Sequence, residues 1–208
     1  SAGEQSDSHG ISLFLLAADS PGVERLGYRM MDGQLVANII FNGVRVPASQ
    51  LLGELHGGHP LLKSVLLDAK LALSAEAVGI METLNAKTLE YTKTRKQFGV
   101  PIGSFQALQH RMVDTFMACE QTRSLLYRAV CAVVDQKDDA EAEVHALAVM
   151  VARAGKLVGG EATQLHGGMG LTDELDVTHY AKRLMMINAT FGNGDYHQAR
   201  FNALRYSA

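Results

Sequence analysis

Apolar residues recur at helical spacing over most of the chain. From Pro60 onward Leu66, Leu73, Ile80, Leu84 and Tyr91 form one stripe, which predicts a helix roughly 50 Å long at the usual rise per residue. A second stripe runs through Phe105, Leu108, Met112, Phe116, Cys119, Leu126, Val130 and Val133. A third runs through Val144, Leu147, Val151, Ala154, Val158, Ala162 and Leu165. Val177, Tyr180, Leu184 and Ile187 mark a fourth helix, whose stripe Phe191 continues as a packed core position, and a short fifth is expected after Asn193-Gly194. Both stripes flanking the charge run Asp135 to Glu143 are core-facing seams, and that run reads as a solvated turn and helix start. Long antiparallel helices with short links predict a bundle.

Before Pro60 the pattern is different. Ile11 to Ala17 is a short apolar run, and the turn signals Asp32-Gly33 and Asn42-Gly43 separate a segment containing Tyr28, a run from Leu35 to Phe41, and Val44-Arg45-Val46. Residues 11 to about 47 therefore read as β. So few strands leave open edges and an unfilled face, which predicts membership of a larger sheet. The expected organisation is a mainly α fold: an incomplete β fragment over residues 1–53 and an antiparallel four-helix-type bundle over 54–208. The opening Ser1 to Gly10 lacks the charged-then-apolar design of a signal peptide and reads as a loop, a cut one.

Composition narrows the function classes. The 208 residues are 47% hydrophobic, enough for a sizeable core. A net charge of −3 argues against a nucleic-acid surface, and no stretch is apolar for long enough to span a bilayer. Cys119 and Cys131 have no His or Cys neighbours at metal-ligand spacing. They read as buried free thiols in a reducing compartment, with a cytoplasmic location and no metal site expected.

The chemistry concentrates at helix ends. Tyr91-Thr92-Lys93-Thr94-Arg95-Lys96-Gln97-Phe98-Gly99 sets a guanidinium, an amide and an aromatic ring where the first long helix stops. Arg95 offers a rigid fork of donors suited to a pyrophosphate, Gln97 donates and accepts, and Phe98 covers a planar ring or anchors the turn. Read as structure alone, the same residues are solvated charge beside a helix C-terminus. Gln164-Leu165-His166-Gly167-Gly168-Met169-Gly170 ends the third helix with glycines that let backbone approach a ligand; as structure alone, Gly167 or Gly168 is a C-cap and His166 a core histidine. Near the end, Asp195 reads as the cap of the last helix or, with His197, as a cofactor contact or relocated acid/base pair.

With Arg95-Lys96-Gln97-Phe98-Gly99, Phe105-Gln106 and Gln164-x-x-Gly167-Gly168 read together, the chain resembles the acyl-CoA dehydrogenase family over nearly its whole length. The opening, through Val44-Arg45-Val46-Pro47 and Leu52-Gly53, looks like the latter part of that family's middle β-domain, and the helices look like its C-terminal bundle. The resemblance implies an FAD-dependent oxidation of an acyl-CoA thioester. It also implies that Arg95, Gln97, Phe98, Gln106, Gln164, Gly167 and Gly168 contact FAD across a subunit boundary. Partners implied are the acyl-CoA substrate, further copies or a paralogous subunit in a heterotetramer, and an electron-transfer flavoprotein as acceptor.

The sequence departs from the family at the catalytic base. One family base position falls on Phe191, within Thr190-Phe191-Gly192-Asn193, and the other on Ala69, beside Lys70 at a basic, substrate-side position. Neither residue takes a proton. Asp68 is adjacent to Ala69 but turned about 100° around the helix, and Asp195 is the other carboxylate candidate. The Phe-Gly-x-x-Asp-x-His ending is similar to small subunits of bacterial two-subunit enzymes of the pimeloyl-CoA dehydrogenase type. Two vacant base positions keep a second reading open: a non-catalytic partner subunit of a heteromeric enzyme.

Overall fold

A computed structural model describes residues 2–4 and 7–206; Ser1, Gln5 and Ser6 of the expected N-terminal loop lie outside the described residues. The chain divides into two compact units, residues 1–68 and 69–208.

The first unit contains four strands, β1 (Leu13–Phe14), β2 (Val23–Arg29), β3 (Leu35–Phe41) and β4 (Leu51–Leu52), and the start of a long helix. β2 and β3 form an antiparallel hairpin in register from Val23↔Phe41 to Arg29↔Leu35. Its turn is the Asp32-Gly33 signal: Gly33 adopts φ 85°, and the Asp32 carboxylate accepts the Gln34 N–H at 3.2 Å. Among the described residues β1 pairs only with β4. The β expectation for residues 11 to 47 is too generous at both ends: the first strand covers two residues, and Val44-Arg45-Val46 is irregular. Leu26, Tyr28, Ile39 and Ile40 of the hairpin are exposed, leaving apolar surface of the kind a further layer covers.

The second unit is helical. α1 (Gly58–Thr94) is followed by α2 (Gln106–Val134), α3 (Ala140–His166), α4 (Asp176–Ala189) and α5 (Gly194–Tyr206). In α1, Pro60 sits in the first turn, where a missing N–H is tolerated. The buried face from Ser74 through Ala77, Met81, Leu84 and Thr88 to Thr92 keeps the three-and-four spacing that a core-facing helix needs. α3 is the central element: α2, α4 and α5 all pack on it. Its sides toward α4 are thinned by Gly155 and Gly159, which face Leu184 and Ala181.

Four expectations about packing need correction. Phe105 and Phe116 of the second stripe are exposed, because the buried face of α2 is narrow and built from Thr115, Cys119, Thr122, Ala129 and Ala132. Cys131 is exposed on the same helix; only Cys119 is buried, and burial followed by Glu82 and Glu120 raises its thiol to about 11. Glu143 of the charge run is not solvated. It is buried and accepts hydrogen bonds from Arg128 at 2.5 Å and Arg205 at 2.6 Å, tying α2 and α5 to α3. Phe191 does not extend the α4 stripe. The helix ends at Ala189, and Phe191 lies beyond it at φ 60° and 43% exposed.

Candidate functional site

The stop of α1 is a hairpin rather than solvated coil. β5 (Lys96–Gln97) pairs with β6 (Val100–Pro101), and Phe98 and Gly99 fill the two turn positions with φ 54° and 84°. The ladder is anchored to the helix: the Arg95 N–H reaches the Tyr91 carbonyl at 2.8 Å, and the Arg95 carbonyl accepts from Ile102 at 2.8 Å. Alternation along the short strand puts residues 95 and 97 on one side and Lys96 on the other.

Across from this hairpin lies the C-terminus of α3. Gly167 is its cap, at φ 62°, a conformation that glycine adopts without a side-chain penalty. Gly170, three residues on, is held from behind: the Thr178 hydroxyl donates to its carbonyl at 2.7 Å, and a Cβ there would lie 2.4 Å from the Thr163 carbonyl oxygen. A Cβ at Gly167 or Gly168 would meet nothing within 4 Å. The chain's own packing therefore fixes the far end of the glycine run and leaves its near end bare.

Between the two segments is a cleft of about 470 Å³ lined by Arg95, Gln97, Gln164, Gly167 and Gly168, with Tyr91 and His166 also in its walls. Five of the seven expected cofactor residues are thus brought together from positions some seventy residues apart. The other two are not. Phe98 is 91% exposed and packs edge-on against Phe105 at 6.1 Å, and Gln106 opens α2 as an exposed residue outside the cleft. Among the described residues the Arg95 guanidinium and the Gln97 and Gln164 amides have no side-chain hydrogen-bond or ion-pair partner. A forked cation, two amides and accessible backbone facing one open volume are the groups that a pyrophosphate and its nucleoside require, so the residues fit a dinucleotide.

The region next to Ala69 and Phe191, the two expected base positions, has a different character. Lys70, Ser74, Asn188, Thr190, Gly192 and His197 enclose a pocket of about 20 Å³, room for about one water molecule. Among the described residues no carboxylate lines it. Asp195 does not cap α5; the cap is Asn193, whose side-chain oxygen accepts the Tyr196 N–H at 2.9 Å. Asp195 is exposed in the first turn, and Asp68 is exposed on α1. The Tyr196 ring lies against Gly192, where a Cβ would be 2.2 Å from a ring carbon, and the Lys70 ammonium sits 6.0 Å from the ring centroid.

Behind Tyr196 is a pair that sequence reasoning missed. His145 of α3 and His197 of α5, both buried, approach with Nδ1 to Nδ1 at 2.8 Å, so one ring donates and the other accepts. Burial lowers both imidazoles to about 4, with the Lys70 charge next in effect on each. The only advance signal was His197 itself; its partner lies fifty-two residues away. Since the folded pKa values lie below the unfolded ~6.5, the unfolded chain binds more protons between them. Stability is therefore expected to be full above about pH 6.5 and to fall as pH drops toward 4. Denaturant midpoints at pH 7.5, 6 and 5 should decline, and less so for His197→Gln. A midpoint level from pH 7.5 to 5 would count against the buried neutral pair.

Residues 56–202 match the family model for the acyl-CoA dehydrogenase C-terminal domain. The chain belongs to the acyl-CoA dehydrogenase family. Among its relatives, the L-prolyl-[peptidyl-carrier protein] dehydrogenase of Serratia sp. (strain ATCC 39006) is 32% identical over 189 residues, covering 89% of this chain and 49% of that protein. The short-chain-specific acyl-CoA dehydrogenase of Megasphaera elsdenii is 31% identical over 184 residues, covering 84% and 46%. Solved structures agree. The ChsE4-ChsE5 complex from Mycobacterium tuberculosis superposes with a TM-score of 0.84 at 27% identity, covering 95% of this chain and 53% of the matched chain. PigA with FAD and proline gives 0.87 at 30% identity, covering 94% and 51%. The chain spans about half the length of the curated relatives it matches. The helical bundle is the fold of this acyl-CoA dehydrogenase domain. Among the described residues no helix is long and apolar enough to cross a membrane.

Proposed function

We propose that the full protein is an FAD-dependent acyl-CoA dehydrogenase working as one subunit of an oligomer, in which this chain grips the pyrophosphate and adenosine end of the cofactor. The observation that carries the reading is the convergence of Arg95, Gln97, Gln164 and the bare Gly167–Gly168 backbone on one cleft. The chemistry FAD supplies when bound is acceptance of a hydride from the β-carbon of an acyl thioester. Arg95 neutralises phosphate charge, the two amides orient the nucleoside, and the bare glycines admit it close to the main chain. Phe98 and Gln106, outside the cleft, would act from the subunit's edge toward a neighbour. Lys70 lies beside the small pocket at the base positions, where it would steer an acyl thioester. An electron-transfer flavoprotein is the acceptor that family membership suggests.

Oligomerisation has its own support. Val113, Phe116, Met117 and Tyr127 form an outward apolar seam on α2, and a second groove of about 540 Å³ runs beside its first half. Single subunits rarely leave such a seam uncovered.

The α-proton must also leave, and Ala69 and Phe191 offer no base. Aspartates 68 and 195 remain the carboxylates nearest in sequence. The absence of any carboxylate from the pocket lined by Thr190 and Gly192 favours a second reading, a non-catalytic subunit that completes the flavin site of an active paralogue. The ChsE4-ChsE5 neighbour is a complex of two differently named proteins, and that precedent supports a heteromer. On that second reading, full-length protein expressed alone should hold FAD weakly and show no acyl-CoA-dependent flavin bleaching. Bleaching by the lone subunit would sink the partner-subunit reading; absence of FAD from both lone protein and assembly would sink the flavoprotein reading.

A further inference from the structure

We infer that the Tyr91–His166 stack is a positioning element that sets the gap across which the cleft grips a nucleoside diphosphate. The inference rests on the nucleotide reading of that cleft and adds residues to it that chain pattern alone assigns to the core. Tyr91 lies one helical turn before Arg95, on the last turn of α1, and His166 immediately precedes Gly167 and follows Gln164 by two residues. The ring centroids are 4.3 Å apart and the planes 28° from parallel. One aromatic contact therefore joins the segment that carries the guanidinium to the segment that carries the second amide and the bare backbone.

The contact is held at both ends. His166 Nδ1 is 2.8 Å from the Ala162 carbonyl, so Nδ1 carries the proton and the ring is bound to its own helix. The Tyr91 hydroxyl donates to the His166 carbonyl at 3.3 Å, the last carbonyl before the Gly167 cap. His166 is 4% exposed, which leaves its ring little freedom to turn. Tyr91 and His166 are also the residues shared by the walls of this cleft and of a neighbouring hollow of about 360 Å³ beside Leu175 and Asp176. Loss of either ring would let the two spaces merge and the hairpin and glycine run drift apart. A side chain that only fills core would transmit nothing to ligand affinity beyond its effect on stability.

The test is a double-mutant cycle on the full-length protein in its assembly, with ADP as the probe by calorimetry and FAD occupancy by absorbance. Tyr91→Met and His166→Met keep volume without a stacking face; each should weaken ADP and FAD binding about tenfold, and the pair together no more than about twofold further. Tyr91→Phe and His166→Phe keep a ring and should stay within about threefold of the parent. Methionine variants that bind like the parent, losses that add fully, or phenylalanine variants as weak as the methionine ones would each overturn the inference while leaving the nucleotide site standing. A parent protein that binds neither ADP nor FAD would overturn the site and the inference together.

Discussion

Replacing Arg95 by alanine is expected to strip FAD from the full-length, assembled protein, whereas replacing its neighbour Lys96 should not. Both side chains are cations beside the same helix end, and charge alone would make them equivalent. Geometry separates them. Arg95, just before β5, and Gln97 within it line the cleft, and Lys96 is not among the residues that line it. Arg95 also has no competing carboxylate among the described residues, so its fork is available to phosphate. Hydrogen bonds to charged groups contribute about 1.5–3 kcal/mol each, which predicts a loss of roughly 10- to 100-fold in FAD affinity for Arg95→Ala. Lys96→Ala should change it by less than about threefold. Arg95→Lys should recover only part, because an ammonium cannot make the paired contact of a guanidinium. Flavin-to-protein absorbance ratios after gel filtration, with a Kd from FAD titration, read the result. Equal, small losses for Arg95 and Lys96 would remove Arg95 from the site.

Gly170→Ala should be the more damaging change to the molecule itself. Its new Cβ would lie 2.4 Å from the Thr163 carbonyl oxygen and 3.1 Å from the His166 Cβ. The first of these is backbone inside α3 and cannot swing aside. The glycine run would have to lift off the helix end, and the Thr178 hydrogen bond to the Gly170 carbonyl would be lost with it. Overpacking of this kind costs about 3 kcal/mol. For a chain of this size that lowers the thermal midpoint by on the order of 10 °C. FAD affinity should fall too, since Gly167 and Gly168 belong to the displaced segment. Gly168→Ala is the matching control: its Cβ meets no neighbour within 4 Å, so stability should hold while the methyl group intrudes on the cleft. If Gly170→Ala melted like the parent, the glycine run would not be anchored from behind as described.

The helices were legible because burial writes a period into sequence. Leu84, Val144, Leu147, Val158, Val177 and Leu184 all fall on the expected stripes and are all buried. Where the stripe failed, the reason is specific. Phe116 sits on a helix whose second apolar seam faces outward, and an apolar residue on a seam says nothing about which seam meets the core. Phe191 kept the period of α4 past the helix end, but Thr190 closes α4 through its hydroxyl bond to the Met186 carbonyl, and the Gly192-Asn193 turn follows. Glu143 looked like surface charge because its two arginines come from positions 128 and 205.

By itself the sequence determined which segments are helical and that glycine and basic residues gather where α1 and α3 stop. Those are local properties, set by side-chain type and spacing, whereas the expectation that the base positions fall on Ala69 and Phe191 is what the family resemblance implies. Only the tertiary structure decided which of the gathered residues share a cleft. Arg95 and Gln97 face it while Phe98 is carried out by a tight turn and Gln106 by the start of α2; His166 becomes a wall because Tyr91, seventy-five residues earlier, stacks on it. Such convergence depends on how α1 and α3 pack, and packing is a property of the whole core rather than of any one stretch of chain.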